Sequence, residues 1–195
     1  MFSFLVIVVQ LNILYAPLKE IPRSQILIFA GDDCYPCKKL LDYLFRAGVL
    51  FSNHIKVIWI RNEDAAIEWA LQNGINEIPL VMINNQIVEG SEHEVAKRVV
   101  KYMLENNIIT QEELYKNLRK VVWLNAKYLG EKIGLEIIVN EKMIPALINR
   151  VKKFYMPYCP CRLELKEENI CPCDHSLEEL KENGYCKCRL FLVKK

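Results

Sequence analysis

The chain has 195 residues, of which 52% are hydrophobic and 26% charged, with a net charge of +2. These values suit a soluble globular protein of one large or two small domains and exclude a low-complexity chain. With no basic run interleaved with aromatics, nucleic acid is not an expected partner. Residues 1–109 hold 10 Lys/Arg against 12 Asp/Glu, and residues 110–195 hold 16 against 12. A weakly basic second half suits an acidic protein partner, though a solvated surface of mixed charge is the plainer reading.

Residues 1–16 are strongly apolar, interrupted by Ser3, Gln10 and Asn12. They lack the basic start and cleavage site of a secretory signal and fall short of the roughly 20 residues that span a bilayer. A buried strand or helix, or a start placed too early, is expected, with membrane association through residues 1–16 as the alternative. Residues 1–24 are accordingly set apart as an apolar segment of uncertain role. A cytoplasmic location is expected. There, eight cysteines read as metal and redox chemistry rather than as a disulfide scaffold.

From residue 25 the pattern sharpens. Residues 25–30 (QILIFA) predict a buried strand, broken by Gly31-Asp32-Asp33. Residues 37–47 predict a helix that Gly48 stops. Residues 55–60 (IKVIWI) form a second strand and 63–73 a helix closed by Gly74. After Ile78-Pro79 come a strand at 80–84, a turn at Asn84-Asn85, a short returning strand at 86–88 and a helix over 92–105. The order is βαβαββα. Residues 105–111 (ENNIITQ) are a polar break. A helix follows over 112–133, ended by Gly134, then another over 140–153 with Pro145 as a kink or late start.

The cysteines fall into motifs. Cys34-Tyr35-Pro36-Cys37 lies between the first strand and its helix. Cys159-Pro160-Cys161, Cys171-Pro172-Cys173 and Cys186-Lys187-Cys188 fill the end of the chain. Six thiols exceed what a tetrahedral metal or a four-iron cluster takes. In an extended Cys-x-Cys segment successive side chains point to opposite faces, so one thiol can face a metal centre and its neighbour another way. Structural zinc sites favour Cys-x-x-Cys spacing, which makes an iron–sulfur cluster the better reading. For Cys34 and Cys37 a half zinc site is the alternative to redox chemistry.

The first segment resembles the thioredoxin fold, and the glutaredoxins most among its members. The motif sits after the first strand, Ile78-Pro79 falls at the family's cis-proline, and the Ile83-Asn84-Asn85 turn and Gly90 match its hairpin. The resemblance implies an α/β thioredoxin-like domain over residues 25–107. In it Cys34 is the attacking thiol, Cys37 the resolving one, and Pro79 supports fold and substrate. A cysteine at a helix N-terminus has a lowered pKa. Tyr35-Pro36 reverses the order common in glutaredoxins. Asp33 stands where thioredoxins place Trp, and its carboxylate opposes thiolate formation. Glu89-Gly90 replaces the paired glycines many glutaredoxins use, which argues against glutathione as reductant.

Residues 112–195 resemble the catalytic (beta) chain of ferredoxin:thioredoxin reductase, a small, mainly α-helical iron–sulfur domain. Cys159–Arg162, Cys171–Cys173 and the Cys186–Phe191 stretch carry the likeness, with Lys127 to Tyr158 following the same family's upstream pattern. The resemblance implies a [4Fe-4S] cluster on Cys159, Cys171, Cys173 and Cys186, with Cys161 and Cys188 as the redox-active disulfide. The gaps between pairs are nine and twelve residues, unlike the plant form, and Lys187 replaces the plant histidine. Proton delivery then falls to Lys187, His175 or water. His54 and His93 read as ordinary surface positions.

Together the two resemblances imply a ferredoxin-dependent disulfide reductase. It would take electrons from ferredoxin or a similar low-potential donor and reduce its own glutaredoxin-like domain, a separate thioredoxin, or both. A second subunit is neither implied nor excluded. The alternative is a zinc-binding or redox-sensing interaction protein with a thioredoxin-like binding module.

Overall fold

The structure, a computed structural model, describes residues 13–194. Its chain divides into two compact units. Of the described residues, one unit comprises 13–44 and 50–103, the other 45–49 and 104–194.

The first unit is built on a mixed five-stranded sheet of order β1-β3-β2-β4-β5. Strand β2 (Ile26–Gly31) runs parallel to β3 (Ile55–Ile60) and antiparallel to β4 (Leu80–Ile83), which pairs with β5 (Gln86–Ile87). All six residues of β2 are buried, as befits a central strand covered on both faces. One face packs Leu27, Phe29, Ile58 and Ile60 against Ala66 and Ala70 of helix α2 (Asp64–Gln72). The alternate set Ile26, Ile28 and Ala30 is equally buried. Helices α1 (Tyr35–Arg46) and α3 (Glu92–Glu105) bring the further apolar stripes, Leu40, Leu41 and Leu44 on one and Val95, Val99 and Val100 on the other. Asn84 and Asn85 both take positive φ, 49° and 65°, which gives the tight β4–β5 hairpin.

Two details depart from expectation. Gly31 does not break the first strand but ends it, paired with Ile60. Residues 13–15 of the apolar N-terminal segment form an edge strand, β1 (Ile13–Tyr15), parallel to β3. Ala16, Leu18 and Ile21 then join the core. A buried strand or helix was expected over residues 1–16; the strand seen covers only residues 13–15 and is half-buried to exposed, while residues 1–12 lie outside the described residues. Among the described residues, no helix is long and apolar enough to cross a membrane.

The second unit is mainly helical. Helix α4 (Gln111–Ile133) starts where Thr110 Oγ1 accepts from the Glu113 amide at 3.1 Å and stops at Gly134, φ 71°. Helix α5 (Ile144–Phe154) has Pro145 in its first turn, so the proline is a late start and not a kink. A short α6 (Ser176–Asn183) closes at Gly184. Absent from the sequence reading is a two-stranded antiparallel sheet of β6 (Ile137–Val139) and β7 (Phe191–Val193), pairing Ile138 with Leu192. It ties the end of α4 to the chain leaving the last cysteine pair.

Candidate redox and metal-binding site

In the first unit, Cys34 and Cys37 form a disulfide at the start of α1. Cys37 is fully buried and Cys34 partly exposed. The Cys37 amide donates to Cys34 Sγ at 3.1 Å. That donor, with the helix N-terminus, favours negative charge on the Cys34 sulfur once the disulfide opens. Cys34 Sγ also lies 3.7 Å from the carbonyl oxygen of Ile78, whose peptide bond to Pro79 is cis. The sequence-predicted Cys34, Cys37 and Pro79 therefore meet at one place.

The support beneath them was not anticipated. A Cβ on Gly31 would lie 2.6 Å from the Ile60 oxygen and 2.8 Å from Ile78 Cδ1, so glycine lets β3 and Ile78 converge there. Asp32 accepts from the Trp59 indole at 2.9 Å and the Asn62 amide at 3.1 Å. Those two hydrogen bonds hold its carboxyl below the usual range. His54 is exposed at the edge of β3, and His93 packs its ring on Tyr43 at 5.4 Å.

In the second unit, backbone pairing sets the first two Cys-x-Cys segments side by side. The Cys159 amide donates to Asn169 O at 2.7 Å and the Cys171 amide to Pro157 O at 2.9 Å. The third pair is turned inward because the Cys186 amide donates to Phe191 O at 3.1 Å while the Phe191 amide donates to Cys186 Sγ at 3.3 Å. Tyr158, Ile170, Leu180, Leu190 and Phe191, all buried, surround these turns.

The result is a pocket of six free thiols. Cys159, Cys171, Cys173, Cys186 and Cys188 are buried, and Cys161 alone of the six is partly exposed. Sulfur–sulfur distances are 3.2 Å for Cys159–Cys161 and 3.6 Å for Cys186–Cys188. The sulfurs of Cys159, Cys161 and Cys188 lie within 4.8 Å of one another and could hold a metal ion. This trio contains one of the four expected ligands and both members of the expected disulfide.

The electrostatics favour a positively charged centre. Burial pushes the fully enclosed Cys171 thiol well up, with neighbouring cysteines adding to it. Cys173 is also raised, first by its hydrogen bond with Cys159 and then by burial. The hydrogen bond with Cys173 lowers Cys159, but that with Cys188 and burial outweigh it and carry the thiol up to about 12. Cys188 likewise reaches about 12, its bond with Cys159 lowering it and its bond with Cys186 and burial prevailing. Such sulfurs become thiolates only beside a cation, and an all-sulfur donor set selects soft metals or an iron–sulfur cluster. The residues present fit that group.

Two further side chains shape the site, and the sequence reading passed over both. Arg150 Nη2 donates to Pro160 O at 3.1 Å and Arg162 O at 3.3 Å, clamping the backbone on either side of Cys161. Glu179 accepts from Arg162 Nη2 at 2.6 Å and from the Lys187 amide at 2.7 Å. The helix that carries Glu179 was legible in Ser176-Leu177-Glu178-Glu179 followed by Leu180 and Gly184. The proposed proton carriers His175 and Lys187 are both exposed.

A partly exposed Cys-x-x-Cys disulfide and a buried group of thiols with one open sulfur are the kind of parts from which dithiol–disulfide redox proteins are built. In keeping with that class, residues 108–195 match the family described as ferredoxin thioredoxin reductase catalytic beta chain. The match supports a reductase-like redox function, and in general a disulfide reductase, for this part of the chain. A search of the curated proteins finds no match.

Proposed function

We propose that the protein is a ferredoxin-dependent disulfide reductase that carries its own thioredoxin-like, glutaredoxin-type acceptor domain. The observation that carries this reading is the six-thiol pocket in which Cys161 alone is partly exposed. In this reading Cys159, Cys171, Cys173 and Cys186 hold a [4Fe-4S] cluster, leaving Cys161 and Cys188 for disulfide chemistry. When bound, such a cluster supplies one-electron storage beside a two-electron disulfide.

The chain's own residues then do the following. With Cys161 and Cys188 reduced, the Cys161 thiolate attacks Cys34 of the Cys34–Cys37 disulfide, and Cys37 leaves as a thiolate and takes up a proton. Cys188 attacks the Cys161 sulfur of the mixed disulfide, restoring Cys161–Cys188 and releasing Cys34. Lys187 Nζ or the His175 imidazole shuttles the protons. Pro79, beside Cys34, shapes the surface on which the partner sulfur arrives. A separate thioredoxin-type disulfide can take the place of Cys34–Cys37.

The driving force is ample. A donor at about −400 mV and an acceptor at about −270 mV differ by ~130 mV, worth roughly 6 kcal/mol over two electrons. Tethering raises the acceptor to an effective concentration on the order of mM.

Anaerobic purification followed by iron, sulfide and zinc analysis tests the reading. Four irons and four sulfides are expected, lost in Cys171→Ser and retained in Cys161→Ser and Cys188→Ser. The tight Cys159, Cys161 and Cys188 trio favours a second reading, a zinc-binding or redox-sensing interaction protein. One zinc per chain without iron would establish it and overturn the first.

A further inference from the structure

The two loops that bear Cys161 and Cys188 are joined by one carboxylate. Glu179 Oε1 takes the Arg162 guanidinium at 2.6 Å, next in sequence to Cys161. Its other oxygen, Oε2, takes the Lys187 amide at 2.7 Å, next in sequence to Cys188. The Arg162 carbonyl is in turn held by Arg150. Arg162 also reaches the Cys173 sulfur, so the clasp runs along the wall of the thiol pocket.

This ion pair differs from the others in the unit. The Arg162 and Glu179 side chains retain 18% and 19% exposure, against 55% and 64% for Lys194 and Glu136. An exposed pair contributes little because water and salt screen it. Two charge-assisted hydrogen bonds on one shielded carboxylate are strong and geometrically specific. They also act where position matters most. A disulfide needs its sulfurs about 2 Å apart, and Cys161 and Cys188 already lie within 4.8 Å of each other as thiols.

We propose that Glu179 is a positioning residue that, through Arg162 on one side and the Lys187 amide on the other, holds Cys161 and Cys188 within bonding reach. This rests on the assignment of those two thiols as the redox pair. The step it governs is closure. The two thiols lose two electrons and two protons to oxidised glutathione, which leaves as two glutathione thiols, and the Cys161–Cys188 bond forms. Without the clasp the loops spread and closure becomes less favourable.

The test uses the full chain, purified anaerobically and equilibrated in glutathione redox buffers. After alkylation, mass spectrometry of peptides gives the fraction with Cys161 joined to Cys188. Glu179→Ala is expected to lower the closure constant at least tenfold, about 30 mV for a two-electron couple. Glu179→Gln, which keeps an acceptor for the Lys187 amide but loses the charge facing Arg162, should fall between wild type and alanine. Arg162→Lys should also be intermediate, and Glu136→Ala, at the exposed pair, should match wild type. Should Glu179→Ala fail to fold, the glutamine and lysine variants still decide the matter. Folded Glu179 variants that melt lower but keep the wild-type midpoint would show a merely structural role and overturn the proposal. A wild-type chain that never joins Cys161 to Cys188 would overturn the assigned redox pair and the clasp with it.

Discussion

Replacing Gly130 by alanine sets two effects of opposite sign against each other. Gly130 lies inside α4, where alanine is favoured over glycine by about 1 kcal/mol. Yet a Cβ there would sit 2.6 Å from the backbone oxygen of Leu135 and 3.6 Å from Ile137. The oxygen belongs to the main chain between Gly134 and β6, and it cannot rotate away as a side chain would. The Gly130 carbonyl is itself the anchor of that turn, accepting from the Gly134 amide at 2.8 Å and the Leu135 amide at 3.2 Å. Overpacking of this kind costs about 1–3 kcal/mol, so the clash outweighs the propensity gain and a net loss of about 1 kcal/mol is expected. For a unit of this size that lowers the melting temperature by roughly 4–8 °C. The strain is transmitted, because β6 pairs with β7 and Phe191 donates to the Cys186 sulfur. Thermal unfolding by circular dichroism, with hydrogen exchange of peptides covering residues 135–139 and 189–194, measures both consequences. Gly134→Ala is the control, since its position has open space and only a positive φ to oppose it. An alanine at 130 that raises the melting temperature would refute the steric argument.

Four other outcomes are expected. After reduction, iodoacetamide near neutral pH should label the partly exposed Cys34 before the fully buried Cys37; faster labelling of Cys37 would reverse their roles. In Cys188→Ser, which lacks the thiol that resolves the intermediate, the Cys161 thiolate should attack the Cys34–Cys37 disulfide, release Cys37 as a thiol and leave a Cys34–Cys161 mixed disulfide detectable by peptide mass spectrometry, whereas coupling only to an added thioredoxin would end the internal relay. Thr110→Ala removes the acceptor of the Glu113 amide and should destabilise α4 by about 1 kcal/mol in urea titrations. The Asp32 carboxyl is held below its ordinary value of 3.8, so its stabilisation is present above that pH and is lost as pH falls through the lower folded value. The urea-midpoint difference between wild type and Asp32→Asn should therefore shrink below about pH 4, and a difference that grows in acid would contradict the sign.

Much of the first unit was legible because its signals are local. The apolar run at 55–60 became β3 residue for residue, the glycines at 48 and 74 ended helices with φ 75° each, and Asn84-Asn85 made the hairpin. The same holds for α4, whose apolar stripe and Gly134 stop are written within one stretch of chain. Cysteine spacing likewise sorted all eight sulfurs into four motifs, of which the fold joins one as a disulfide and leaves the other six thiols free. The edge strand β1 escaped because three residues are too few for alternation to show. Strands β6 and β7 were hidden further still, since Ile137 finds its partner in Val193, across most of the unit.

What the amino-acid order determined by itself was composition, periodicity and spacing: which residues could form helices, strands, turns and thiol sites. Tertiary structure alone decided which of those thiols are enclosed, that Cys161 keeps a path to solvent, and that Gly31 permits Ile60 and Ile78 to meet beneath Cys34. It also placed Glu179 between Arg162 and the Lys187 amide. Burial and hydrogen bonding depend on residues that the fold brings together from distant positions. No local pattern distinguishes such a glutamate from its solvated neighbours on the same short helix.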